Sequence, residues 1–458
     1  MALQSRLHRA LDLLKSMSRP SPTVSIEIDN HQHGLEITYT TFDRIQGTVI
    51  ITVDSETPLE NISITFEGTA KVSIGRATCT LSNSEAMQTF LQLKQPVARG
   101  IDAVPKVLQP GCSYKLPFTF VVPQYLPCQS CNHNISCSDF KRAHLQLPPT
   151  LDDPRLGREK KPTLDYVSSG KCCISYRVRV VISKAFIPGS RRPSRLVDCA
   201  KSVRVLPTAI PAPHLSLPIA IPDIRTRIKQ SLSQGFTQPG LGELITEASS
   251  PLSVQHPLEK TGLHTAVRLT LRFNPLIDRA PPQLRKATAK LQVSTFYSLT
   301  PWEDYPSWDD RGLANGWDRG ALTETFPLMT FSMGFLQWAK HHEVASEHRT
   351  RGLDEPALSS YYTASIVLPI VFPPRGIPTP TFHSCLISRT YSINLRLSFH
   401  TPGTALKNAS ATIKIPFMLQ YAPHDRSDGL GYEDTYQSDS TVMDDHPPPE
   451  YTPSVRFA

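Results

Sequence analysis

The chain has no run of 18 or more apolar residues and no secretory hydrophobic region, so neither a membrane-spanning helix nor a secretory signal peptide is expected. It also lacks the usual catalytic signatures: no G-x-S-x-G elbow, no phosphate-cradling P-loop and no dinucleotide fingerprint. Paired Cys/His finger spacings and aromatic RNA-binding signatures are missing too, so no nucleic-acid partner is expected. Cysteine is sparse, with nine in 458 residues, odd in number and unevenly spaced. That pattern excludes a disulfide scaffold and predicts a reducing, cytoplasmic compartment. Glycine is scarce beside proline, 22 against 42. Proline at about twice its average frequency without matching glycine predicts strand ends, rigid turns and linkers. A hydrophobic content of 39% is enough for real cores. A chain of this length predicts two or three domains.

What is present begins at the far end. Pro448-Pro449-Glu450-Tyr451 is a PPxY peptide in a polar, acidic tail. Consecutive prolines hold φ near the polyproline II value, and aromatic-lined grooves such as those of WW domains bind that preformed helix at low entropic cost. A Pro-rich terminus without a ligand is the plainer reading of the same four residues. The tail from Ala422 onward carries eight acidic and two basic residues, a net −6, so within a chain of +8 the body carries +14. A basic body with an acidic tail points to an acidic partner, such as anionic lipid or a phosphorylated peptide. Thr452, directly beside the motif, is a candidate regulatory phosphosite.

Residues 1–20 form a separate segment in which Leu3, Leu7, Ala10, Leu11 and Leu14 fall at helical spacing among Arg6, Arg9 and Lys15. A frayed helix, a basic amphipathic helix lying on a membrane surface and a transit peptide all fit this pattern. From Val24 the period changes to two. Ile26 and Ile28 continue it, followed by the stretches 48–53, 62–66, 114–122, 172–184 and 201–206, with turn residues between them. This predicts an antiparallel β-sandwich over 21–208. Residues 209–260, rich in proline and serine, read as a linker or insertion. Alternation returns at 264–273, 287–299, 362–372, 391–400 and 411–421, which predicts a second sandwich over 261–421. Residues 300–356 hold all four tryptophans and read as an insertion in it. His341-His342-Glu343 and His348 lack a His pair at i,i+4 around the acid and read as a polar loop or helix end. The tail 422–458 is expected to be disordered.

Several stretches of the first half resemble the arrestin superfamily, and within it the fungal-type α-arrestins. Phe42-Asp43-Arg44-Ile45-Gln46-Gly47-Thr48-Val49 is similar to the strand carrying that family's G-x-V element. Ile62-Ser63-Ile64-Thr65-Phe66-Glu67-Gly68 resembles its I-x-I-x-F-x-G strand. Gln109-Pro110-Gly111, Leu116-Pro117-Phe118-Thr119-Phe120-Val121-Val122-Pro123 and Leu126-Pro127 resemble its P-G, F-P-F-x-F-x-x-P and L-P stretch. Ile174-Ser175-Tyr176-Arg177-Val178 resembles its I-x-Y-x-V strand. The resemblance covers about 190 residues well and is weaker in the second half. It implies two tandem immunoglobulin-like sandwiches of the arrestin fold, and a non-enzymatic adaptor without a cofactor. It further implies that Pro448, Pro449, Glu450 and Tyr451 dock a WW-domain HECT-type ubiquitin ligase while the body holds a plasma-membrane transporter or receptor. The cargo would be ubiquitylated and endocytosed, with the adaptor recruited peripherally to plasma membrane or endosomes. An arrestin-like sorting scaffold without ligase recruitment is the alternative. This chain has a single PPxY where relatives often have more, so avidity from several WW domains is not expected.

Two constellations remain. Cys128, Cys131, His133 and Cys137 crowd into ten residues. Ordinary reduced loop cysteines, with no metal, are the expectation; a zinc site on these four residues is the alternative, with Cys172-Cys173 able to complete it across a sheet. Arg158, Lys160, Lys161, Arg191, Arg192 and Arg195, together with Lys141-Arg142, are loop cations that read either as solvated charge or as a patch for anionic lipid or acidic cargo.

Overall fold

The computed structural model describes residues 22–29, 37–75, 83–96, 105–156, 170–184, 195–208, 226–232, 242–249, 253–256, 264–276, 280–308, 313, 317–334, 336–343, 359–372, 379–400 and 409–422. The N-terminal amphipathic segment, the PPxY motif, Thr452 and the cations Arg158, Lys160, Lys161, Arg191 and Arg192 lie outside these residues.

The first sandwich follows from period-two patterning. In β3 (Arg44–Thr52), Ile45, Val49 and Ile51 are fully buried while Arg44, Gln46 and Thr52 are exposed. This strand sits between β1 (Thr23–Ile28) and β8 (Ser113–Val121) in a three-stranded antiparallel sheet. Opposite it lies a five-stranded sheet in the order β2 (Thr38–Tyr39), β10 (Arg195–Val205), β9 (Cys172–Ser183), β5 (Asn61–Gly75), β6 (Asn83–Lys94). Its pairings are antiparallel except β2 with β10. A short ribbon joins β4 (Thr57–Pro58) to β7 (Val107–Leu108). Phe66, Phe120 and Tyr176 form the aromatic centre of the core, with Phe66 5.8–5.9 Å from each of the other two. Gly47 and Gly68 lie inside β3 and β5. A Cβ on Gly47 would fall 2.1 Å from the Glu27 carbonyl oxygen, and one on Gly68 would fall 2.5 Å from the Phe90 ring. Close approach of neighbours, rather than chain reversal, explains both.

The second sandwich begins earlier than the composition predicts. Residues read as a linker supply β11 (Thr226–Leu232), β12 (Gly242–Ser249) and β13 (Ser253–His256). One sheet runs β11, β12, β14 (His264–Pro275), β18 (Ser359–Val371), β17 (Ala339–Glu343); the other runs β13, β21 (Ala409–Tyr421), β20 (Ile387–His400), β15 (Gln283–Ser298), β16 (Arg319–Ser332). A short strand, β19 (Phe382–His383), pairs with β20. β13 runs parallel to β21, and the other pairings are antiparallel. The Trp-rich stretch is therefore not an appended insertion, because β16 and β17 are full members of the two sheets. His341 and His342 lie on β17, an edge strand, with His341 stacked 5.0 Å from Tyr361, which corrects the loop or helix-end reading. Polar alternation in an exposed edge strand hid these elements, since half of such a strand faces water.

Among the described residues the one α-helix is α1 (Ser138–His144), and none is long and apolar enough to cross a membrane. The segment carrying α1 leaves the first sandwich and packs on the second. Phe140 is fully buried with Phe296 and Trp302, and the Ser136 N–H and hydroxyl both donate to the Glu303 carbonyl, at 2.9 and 3.0 Å. The two sandwiches share apolar packing as well: Tyr297, Phe382, Cys385, Leu386 and Ile387 of the second belong to the core of the first.

Candidate functional site

At this joint four sulfur and nitrogen donors converge. Cys131 and His133 come from the loop after β8, His144 from the last turn of α1, and Cys385 from the turn between β19 and β20. The donor atoms all lie within 4.8 Å of one another. His133 Nε2 is 3.0 Å from His144 Nε2, His144 Nε2 is 3.0 Å from Cys385 Sγ, and the two sulfurs are 3.7 Å apart. Cys385 and His144 are buried, while Cys131 and His133 are half-buried and open the site to one side.

Local structure fixes each side chain. Cys137 does not reach the cluster: it is exposed and caps α1, its Sγ accepting from Phe140 N–H at 3.4 Å. That cap starts the helix whose final turn delivers His144. The His133 Nδ1 faces the Asn134 carbonyl at 3.0 Å, and since a carbonyl only accepts, Nδ1 is the donor there and Nε2 points into the cluster. Gln88 on β6 donates its amide N–H to Cys385 Sγ at 3.1 Å. Trp302 clamps the Cys385 turn from the other side: its backbone N–H donates to the Cys385 carbonyl at 2.9 Å and its indole N–H to the Leu386 carbonyl at 3.3 Å. His144 Nδ1 is buried without a hydrogen-bond partner.

The electrostatics are those of a shared proton. The hydrogen bond from the Cys385 thiol lowers Cys131 to about 4, and His144 and His133 add to this against the opposing effect of burial. Cys385 is pushed up, first because it donates that bond and then by burial. Next to the cluster, burial and the neighbouring His144 hold His383 down at about 4.

The sequence singled out Cys131 and His133 but grouped them with Cys128 and Cys137; the structure adds His144 and Cys385 and turns Cys137 away, and the Cys128 side chain lies outside those described. Cys172 and Cys173 are not part of the cluster either. Cys172 is buried in β9, and burial pushes both thiols up to about 12. The usable signal was the position of Cys385, the single cysteine in the second half of the chain, in a turn ahead of an alternating strand.

A second polar assembly lies on β5, β9 and β10. Glu67 is buried on the sheet face opposite the core. Arg177 donates Nε and Nη2 to its Oε2 at 3.0 and 2.8 Å, Gln92 donates to Oε1 at 3.2 Å, and Thr65 donates to Oε1 at 3.1 Å. Arg179 adds a weaker contact at 3.4 Å and is held mainly by Asp198, through Nε at 2.7 Å and Nη2 at 2.5 Å. Of the predicted basic patch, Lys141 and Arg142 lie exposed on α1, and Arg195 turns to Asp198 at 3.3 Å.

A scan against protein-family models finds no match, and neither does a search of curated proteins.

Proposed function

We propose that this chain is a non-enzymatic adaptor of the arrestin-like kind. Its acidic tail recruits a WW-domain HECT-type ubiquitin ligase through Pro448, Pro449 and Tyr451. Its body engages the cytoplasmic face of a plasma-membrane transporter or receptor, which is then ubiquitylated and endocytosed. The observation that carries this reading is a PPxY peptide on a chain whose body folds as two β-sandwiches in tandem. Support also comes from where the resembling stretches lie: Gln46-Gly47-Thr48-Val49 on β3, Ile62 to Gly68 on β5, Leu116 to Val121 on β8 and Ile174 to Val178 on β9. Pro448 follows the end of β21 by 27 residues, a tether that spans at most about 90 Å when extended. One motif makes one contact, so recruitment is reversible and of modest affinity.

An isolated WW domain from a HECT-type ligase, immobilised, should retain the full-length chain and lose it, by at least about tenfold, on Tyr451→Ala. Equal retention of both would refute the motif assignment. Cargo turnover that persists undiminished after removal of residues 423–458 would favour a sorting scaffold without ligase recruitment.

A further inference from the structure

We propose that Cys131, His133, His144 and Cys385 form a tetrahedral zinc site that fastens the first sandwich to the second. This inference uses no residue of the adaptor reading and stands or falls separately from it.

The donor set is the first argument. Two thiols and two imidazoles, with no carboxylate among them, make a soft to borderline environment that favours Zn2+ over Ca2+ or Mg2+. The geometry is the second. Zn–S bonds of about 2.3 Å and Zn–N bonds of about 2.05 Å give a tetrahedron with edges of about 3.8 Å between sulfurs, 3.3 Å between nitrogens and 3.6 Å between unlike atoms. The observed 3.7 Å sulfur pair and the 3.0 Å nitrogen and nitrogen–sulfur contacts are this figure slightly contracted. No pair exceeds 4.8 Å, so the longest edge closes by about 1 Å, within side-chain reach.

The surroundings are the third. Zinc-bound histidine characteristically donates its other ring N–H to a carbonyl or carboxylate, and His133 does so to Asn134. An amide N–H directed at a ligating sulfur is likewise an outer-shell contact that stabilises thiolate, and Gln88 supplies one to Cys385. Without a cation, the cluster is poorly satisfied. His144 Nε2 lies 3.0 Å from both His133 Nε2 and Cys385 Sγ, and a neutral imidazole has at most one proton there to share between them. Binding of Zn2+ turns all four donors toward one centre and releases to solvent the proton held between the two sulfurs.

The consequence is mechanical. Cys131 and Cys385 are 254 residues apart in the chain, so a single ion cross-links the two sandwiches at the joint where α1 packs. The half-buried side formed by Cys131 and His133 gives the ion a way in.

The test uses the full-length chain. Elemental analysis after purification should find about one zinc per chain, falling below about one tenth in Cys385→Ser and in His144→Ala but unchanged in Cys137→Ser and Cys112→Ser. Gln88→Ala should weaken zinc binding by about 10–100-fold. Because a ligand variant can fail to fold, the wild-type chain is also stripped with a chelator and titrated with Co2+; one equivalent should give the absorption of a tetrahedral centre with thiolate ligands. Failure of the folded, stripped chain to take up either Zn2+ or Co2+ at one equivalent would overturn the proposal, as would full zinc retention by folded Cys385→Ser. WW-domain capture through Tyr451 should be unaffected by either outcome, which keeps the two readings distinguishable.

Discussion

Glu67 and Asp198 sit within one chain of charges, yet removing them should have very different effects. Glu67 is the acceptor for Arg177, with its side chain 4% exposed and that of Arg177 20%. Asp198 meets Arg179 where the two side chains are 36% and 22% exposed, so water screens the pair. Replacing Glu67 by glutamine leaves Arg177 facing a neutral amide in a largely dry place. Breaking a buried pair from one side costs about 3 kcal/mol at the lower end of its range, and that end applies because Arg177 retains some water. The exposed Asp198 pair contributes about 0.2–1 kcal/mol. Amide hydrogen exchange separates the two, since it reads each strand by itself. In peptides covering β5 and β9, Glu67→Gln should accelerate exchange by about 100-fold, the equivalent of 3 kcal/mol. Asp198→Asn should accelerate it by less than about fivefold. Peptides of β14 in the second sandwich should be unchanged in both variants. Equal acceleration by the two variants, or the reverse order, would refute the view that burial decides which ion pair matters. The pH dependence follows from the same pair. The hydrogen bond from Arg179 holds the Asp198 carboxyl below its ordinary value. Its contribution is therefore present above the unfolded value of about 3.9 and is lost as pH falls through the folded one, so acid should weaken the wild-type strands while Asp198→Asn lacks that component.

Other outcomes follow from particular packing. Trp302, 2% exposed and hydrogen-bonded to the Leu386 carbonyl, should cost about 3–5 kcal/mol as Trp302→Ala, whereas Trp317→Ala, at 69% exposure, should stay within about 0.5 kcal/mol; comparable thermal shifts would contradict the assignment of the joint. Gly68→Ala places a methyl group 2.5 Å from Phe90 and 2.9 Å from Tyr176, so a urea midpoint at or above wild type would show that the two rings yield freely. Alkylation near pH 8 should label exposed Cys112 and spare Cys172, whose burial pushes its thiol up to about 12; rapid labelling of Cys172 in the folded chain would count against that burial.

Where one sheet face is dry and the other wet, the sequence was easy to read. β3, β9 and β14 each show the alternation that their burial later explains. β6, β11 and β16 were missed because their outward residues are long, polar or irregular and because flanking prolines suggested a linker. Partner strands supply the ladder that their own composition does not advertise. The cluster at the joint was half legible for a related reason. Cys131 and His133 are close in sequence, so spacing revealed them, and the same logic added Cys137, whose sulfur caps a helix instead. His144 and Cys385, 241 positions apart in the chain, meet only after two sandwiches have folded and docked, and no local pattern encodes that meeting.

The shared core has a consequence for how the chain is made. Val205 ends the last strand of the first sandwich, but Phe382, Cys385, Leu386 and Ile387, which finish its packing, are translated as many as 182 residues later. At about 5–20 residues per second the ribosome needs roughly 10–35 s to reach them. For that interval the first sandwich waits with an apolar patch uncovered, which makes it a natural client for chaperones during synthesis. A chain broken between the halves would keep it in that waiting state indefinitely.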